Sequence, residues 1–137
     1  MILKYHIEGG DFANAGSASS QVKKTLKQLS VPPAIIKRVV VALYEAEVNI
    51  VAHAYRGNIT VSIDPQKILM TLDDEGPGIA DISLAMKKGY STASEEVRQM
   101  GFGAGMGLPN ISDNSDELNI ESEVGKGTKL EITVRLS

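Results

Sequence analysis

The chain has no cysteine and no tryptophan. Without thiols there is no disulfide, no zinc–thiolate centre and no thiol nucleophile, and the composition fits a reducing, cytoplasmic setting. Aromatic residues are only 4% of the sequence, so the core must be aliphatic and a nucleic-acid surface of stacked rings is disfavoured. Basic residues are not in excess: the formal net charge is −3. Only Lys23, Lys24 and Lys27 cluster, and they read as a solvated helix face, so direct nucleic-acid binding is not expected. No apolar run approaches the roughly 20 residues of a membrane helix. The opening Met1-Ile2-Leu3-Lys4-Tyr5-His6 lacks the charged-then-apolar order of a signal peptide. A soluble protein with no membrane contact is the expectation.

The chain is ordinary in bulk composition: 42% of its 137 residues are hydrophobic and 23% charged, which suits one globular domain over residues 1–137. Residues 2–8 partly alternate and predict an edge strand. Ala18, Val22, Leu26 and Leu29 recur at helical spacing and predict an amphipathic helix from about Asn14 to Leu29. A second helix, largely buried, is predicted from Pro33 to Tyr55, closed by Gly57-Asn58. Alternation over 59–63 and 68–72 predicts a hairpin turning at Asp64–Lys67, and 118–122 with 129–134 predict another around Gly125-Lys126-Gly127. The economical arrangement is α+β: a two-layer α/β sandwich with helices on one face of a mainly antiparallel, mixed sheet. Residues 76–106 resist that scheme. They hold Gly76, Gly78, Gly89, Gly101, Gly103 and Gly105, and a connection that long is expected to act as a lid, with short helices near 82–88 and 93–99.

Three patterns carry chemistry. Glu45, Asn49 and His53 stand at i, i+4 and i+8, one polar stripe on an apolar helix. The stripe is either the helix's solvent side or the wall of a site, because burying such groups without partners is costly. Glu47 lies about 200° round the helix from Glu45 and is expected to be exposed. Asp73-Asp74-Glu75-Gly76-Pro77-Gly78 follows a strand directly. It is either a plain Asp/Gly turn or a turn that aims a carboxylate into a pocket, where it can accept from an exocyclic amine. The run from Gly101 to Ile111 alternates glycine ahead of a predicted short helix, an arrangement suited to phosphate. It is neither a P-loop nor a dinucleotide fingerprint, since both spacings fail. Gly125-Lys126-Gly127-Thr128 lacks the upstream glycine of a P-loop and reads as a hairpin turn.

Helix, strand-turn and loop-helix come in one order, and together they resemble the GHKL superfamily, the Bergerat ATP-binding fold shared by DNA gyrase, heat-shock chaperones, MutL-type repair proteins and histidine kinases. Glu45 to Tyr55 is similar to that family's N box, Asp74-x-Gly76-x-Gly78 to its G1 motif, and Gly103-x-Gly105-x-Gly107-Leu108 to its G2 motif. Within the superfamily the N box and the compact length most resemble bacterial anti-sigma factors and switch-protein serine kinases. The resemblance implies ATP and Mg²⁺ as cofactors. It implies that Asn49 ligates Mg²⁺ and that Glu45 is the catalytic general base. Asp74, with Gly76, Gly78 and Thr128, would take the adenine, and Gly103, Gly105, Gly107 and Leu108 would take the phosphates. It also implies serine/threonine kinase activity on a STAS-type anti-anti-sigma partner, contact with a sigma factor, and a possible homodimer. A basic residue for the phosphates is not evident; Lys87, Lys88 and Arg98 are candidates. Two alternatives are a nucleotide-gated binding module with little catalysis and a detached histidine-kinase-like catalytic domain.

Overall fold

The computed structural model describes residues 1–87 and 107–136. Five strands form one sheet in the order β1-β2-β3-β5-β4: β1 (Ile2–Glu8), β2 (Arg56–Ile63), β3 (Lys67–Glu75), β4 (Glu117–Glu123) and β5 (Gly127–Arg135). All four pairings are antiparallel, and β1 occupies an edge as the alternation predicts. Four helices are described: α1 (Ser17–Gln28), α2 (Pro33–His53), a single turn α3 (Ile82–Ala85) and α4 (Gly107–Asp113).

Period-two alternation makes the layers. Ile59 and Val61 of β2, Ile68, Met70 and Leu72 of β3, and Leu130, Ile132 and Val134 of β5 all point to one face and are buried. The opposite face carries Thr60, Thr71 and Glu131, which stand side by side in register. The buried face meets α2, whose Ile36, Val39, Leu43, Ala46 and Ile50 belong to the same core, with α1 contributing Val22 and Leu26 and α4 contributing Leu108 and Ile111. Each such aliphatic side chain contributes about 1.5–3 kcal/mol on burial, which explains how α2 stays helical despite many β-branched residues of poor helix propensity.

The helix and turn boundaries shift in instructive ways. α1 begins at Ser17 rather than near Asn14, because residues 12–14 form a separate 3-10 turn and Gly16 takes a left-handed conformation (φ 93°). It ends before Leu29, which lies past the last turn and is exposed. Gly57-Asn58 does not close α2. The helix stops at His53, and Gly57 and Asn58 are already in β2, paired with Asp74 and Asp73. The first hairpin turns on an Asx turn: the Asp64 carboxylate accepts from the N–H groups of Gln66 (2.7 Å) and Lys67 (2.9 Å). Of the expected short helices, the one near 82–88 is reduced to α3, and 93–99 lies outside the described residues.

Candidate functional site

On three neighbouring strands the inward-facing row changes from apolar to polar at the same end of the sheet. Leu72 is followed two residues on by Asp74, Leu130 is preceded by Thr128, and Ile120 is followed by Ser122. Register brings Ser122 opposite Thr128. Their hydroxyls lie 2.8 Å apart, Ser122 Oγ donates to the Gly127 carbonyl (3.1 Å), and the Ile79 N–H donates to Ser122 Oγ (2.7 Å). The Thr128 N–H donates to Asp74 Oδ1 at 3.1 Å. This small network fastens the turn after β3 to the β4–β5 hairpin.

Two glycines make the junction possible. A Cβ on Gly127 would lie 1.9 Å from the Asp74 carbonyl oxygen, so only glycine lets β5 approach β3 there. Gly57, paired with Asp74, leaves the space beside that carboxylate; a Cβ would press on Ile50 Cδ1 at 3.0 Å and Asp74 Cβ at 3.2 Å. Asp74 is half-buried. Burial is the main cause that raises its pKa above the ordinary value; the Thr128 N–H opposes the rise, and the Asp73 charge adds to it. A carboxylate accepts up to about four hydrogen bonds, so Asp74 retains acceptor capacity toward a ligand amine. An open cleft of about 410 Å³ at these strand ends is lined by Asp74, Ser122 and Thr128 and also by Asp73, Glu121 and Lys129, which stand in register on the opposite face of the sheet, so it follows the sheet's end rather than the inward face alone. Glu45 and Asn49 do not line it.

Within the polar stripe of α2, Glu45 and Asn49 face α4. Glu45, Asn49 and His53 are each half-buried. A Cβ on Gly107 would come 2.9 Å from Asn49 Oδ1 and 3.0 Å from Nδ2, so the start of α4 lies directly against that amide. One turn later Asn110 Nδ2 donates to Glu45 Oε1 at 3.3 Å. Burial lowers the pKa of His53. Gly76, at the end of the Asp74 turn, packs on the α2 terminus, where an added Cβ would meet Ala54 Cα at 3.0 Å. Thus Asp74 joins Thr128, Asn49 joins Gly107, and Gly76 joins Ala54, the residue after the last turn of α2. Gly78 sits in the turn with φ 74°, and Leu108 is buried. Gly103, Gly105, Lys88 and Arg98 lie outside the described residues, and Lys87 is exposed.

Glu47 corrects the sequence reading. It is fully buried, not exposed. Its carboxylate accepts from the N–H groups of Gly16 (3.0 Å), Ala18 (3.2 Å) and Ser19 (3.0 Å) and from the Ser19 hydroxyl (2.6 Å). It serves as the N-terminal cap of α1, supplied from another helix. Ser122 and Asn110 also contribute hydrogen bonds here that the sequence expectations do not include. For Ser122 the signal was present: a polar residue continues the inward row of Leu118 and Ile120. For Asn110 the only signal was its place in the glycine-led helix.

Among the described residues no group of three His, Cys, Asp or Glu side chains could hold a metal ion. A magnesium ion at Asn49 would therefore take most of its ligands from phosphate and water, the usual way that ion is held beside a nucleotide. A half-buried amide oxygen next to a helix start that lacks a side chain suits that part.

Comparison with known proteins shows the family and the fold. Residues 11–134 match the family described as the histidine kinase-like ATPase domain. An anti-sigma F factor of Thermoanaerobacter sp. (strain X514) is 40% identical over 97 residues, 67% of this chain and 64% of that protein. The serine/threonine-protein kinase RsbT of Bacillus subtilis (strain 168) is 33% identical over 98 residues, 69% of this chain and 68% of that one. A solved structure of RsbU and RsbW domains from Mycobacterium tuberculosis shares the fold, with TM-score 0.64 at 17% identity over 97% of this chain and 32% of that one.

Proposed function

From membership of the histidine kinase-like ATPase domain family, to which this chain belongs, we propose that it is an ATP-binding, anti-sigma-type regulator that phosphorylates a serine or threonine of a small STAS-type partner. The observation that carries this reading is the Glu45–Asn49 stripe held against α4, in a chain that matches both an anti-sigma F factor and a serine/threonine kinase. The match spans 64% of the length of the anti-sigma F factor relative.

Each residue has a part that its surroundings support. Asp74 accepts from the adenine amine, beside Thr128 and the turn through Gly76 and Gly78. The backbone N–H groups of Gly107 and Leu108 would take the phosphates, and the family resemblance assigns Gly103 and Gly105 the same part. Asn49 would hold Mg²⁺ together with the phosphate oxygens; the ion, when bound, neutralises charge on the phosphates. Glu45 takes the proton from the partner's hydroxyl as that oxygen forms its bond to the γ-phosphorus. The bond from the γ-phosphorus to the bridging oxygen breaks, and ADP leaves with the electron pair. The sigma factor or the STAS protein is the macromolecular partner, in the cytoplasm.

The test is incubation of the wild-type protein with Mg-ATP and a purified STAS-domain protein of the source organism. Phosphoserine or phosphothreonine should form, and Glu45→Gln should slow it by about a hundredfold or more while ATP still binds. No phosphorylated partner from wild type with ATP bound would refute the kinase reading and leave a nucleotide-gated binding module.

A further inference from the structure

α4 lies along the polar stripe of α2 so that two of its residues, three apart, meet two of the stripe, four apart. Gly107 sits on Asn49 and Asn110 on Glu45. Residues three or four apart share a helix face, so one face of α4 addresses both groups. We propose that Asn110 is a positioning residue for Glu45: its amide holds one carboxylate oxygen and leaves the other directed at the hydroxyl to be phosphorylated. The inference rests on the kinase function proposed above and adds a residue to it.

Three observations carry it. First, Asn110 is firmly placed. Leu108, Pro109 and Ile111, its neighbours in α4, are buried, and its carbonyl accepts from both the N–H (3.2 Å) and the side-chain amide (2.8 Å) of Asn114. A donor set on so fixed a backbone imposes its position on what it touches. Second, Glu45 needs such a constraint. The terminal torsion of a glutamate is broad, and an unrestrained carboxylate samples orientations in which neither oxygen faces the reacting hydroxyl. A base acts only within hydrogen-bond reach of the proton it removes. Third, the donor is neutral. A lysine or arginine in its place would hold Glu45 more strongly but would also stabilise the carboxylate and weaken it as a base. An amide orients with less of that penalty. The contact is a single bond at 3.3 Å, 65 residues apart in sequence, between two half-buried side chains.

The experiment is a double-mutant cycle on phosphate transfer from Mg-ATP to the STAS protein, with ATP affinity measured in parallel by a fluorescent nucleotide. In the wild-type background Asn110→Ala should lower kcat about tenfold with ATP affinity held within about twofold. Asn110→Asp has the same shape and keeps the proposal testable if the alanine variant folds poorly. It should lose more than Asn110→Ala, since a second carboxylate repels the first. In a Glu45→Gln background neither change should lower the residual rate further. Equal losses in both backgrounds, or ATP affinity falling in step with kcat, would assign Asn110 a structural role only and overturn the inference while leaving the kinase intact. A wild-type protein that transfers no phosphate overturns the function itself, and Asn110's part in it as well.

Discussion

At the residue scale, three ionisable groups outside the proposed chemistry bear on stability. The first is Glu47, buried under four hydrogen bonds from the start of α1. Hydrogen bonds to a charged acceptor each contribute about 1.5–3 kcal/mol, and unpaired buried donors add a desolvation penalty. Glu47→Ala should therefore destabilise by about 3 kcal/mol, lowering Tm by about 10 °C, with Glu47→Gln intermediate. A loss below about 1 kcal/mol in urea unfolding would show that α1 is held by its apolar face alone. The second group is His53, whose pKa is lowered by burial. The folded protein binds that proton less readily than the unfolded chain, so stability present above about pH 6.5 is lost as the pH falls through the lowered folded value. His6 acts in the opposite sense. Its hydrogen bonds to Asn58 and then Glu8 raise its pKa, so its contribution is present below about pH 6.5 and lost as the pH rises through the raised value. Urea midpoints between about pH 5 and 8 should show a weaker acid loss in His53→Gln and a steeper one in His6→Gln. Parallel curves for His53→Gln and wild type would contradict this assignment.

Among elements, α4 is the one whose position decides the site, and its fit to α2 is tightest at Gly107. A methyl group there cannot coexist with the Asn49 amide at 2.9 Å, so either the amide turns away or the helix lifts. Gly107→Ala is accordingly expected to weaken Mg-ATP binding about tenfold, read by nucleotide titration with and without Mg²⁺. Helix propensity itself favours alanine over glycine by about 1 kcal/mol, so folding stability should change little. Unchanged affinity would mean that Asn49 is not held in its working orientation by α4. The elements themselves are legible from periodicity, but the alternation ends at Leu72 and begins at Lys129, whereas β3 and β5 run on to include Asp74 and Thr128. What lies against an element is not legible in this way. A helical wheel places Glu47 away from Glu45, but it cannot say that the first turn of α1, some thirty residues earlier, comes to rest on that face. Gly57-Asn58 departs from its expected part for the same reason. A Gly-Asn pair looks like a stop until the partner strand is known, and here Gly57 is the space beside Asp74.

For the whole molecule, the core and the site are two ends of one sheet face. Strands β3 and β5 contribute Met70, Leu72, Ile132 and Val134 to the core and, a few residues on, Asp74 and Thr128 to the polar end. That change of character was visible strand by strand as a break in alternation. Its alignment across three strands depends on register, which the sequence does not state. One consequence is that a ligand at the polar end braces the same strands that must separate in global unfolding. Mg-ATP that binds only the folded state should stabilise by about 2.7 kcal/mol at a hundredfold excess over Kd, raising Tm by about 10 °C. Chelating Mg²⁺ should reduce that gain, because the phosphates would then lack the cation that Asn49 is proposed to help hold. Asp74→Asn should abolish most of it, since an amide that turns its N–H₂ toward the adenine amine opposes donor to donor. Glu45→Gln should keep it, because the proposed base has no part in holding the nucleotide. Thermal melts of the three proteins with ATP, with and without Mg²⁺, decide the matter: an equal rise for Asp74→Asn and wild type would place the adenine elsewhere on the molecule.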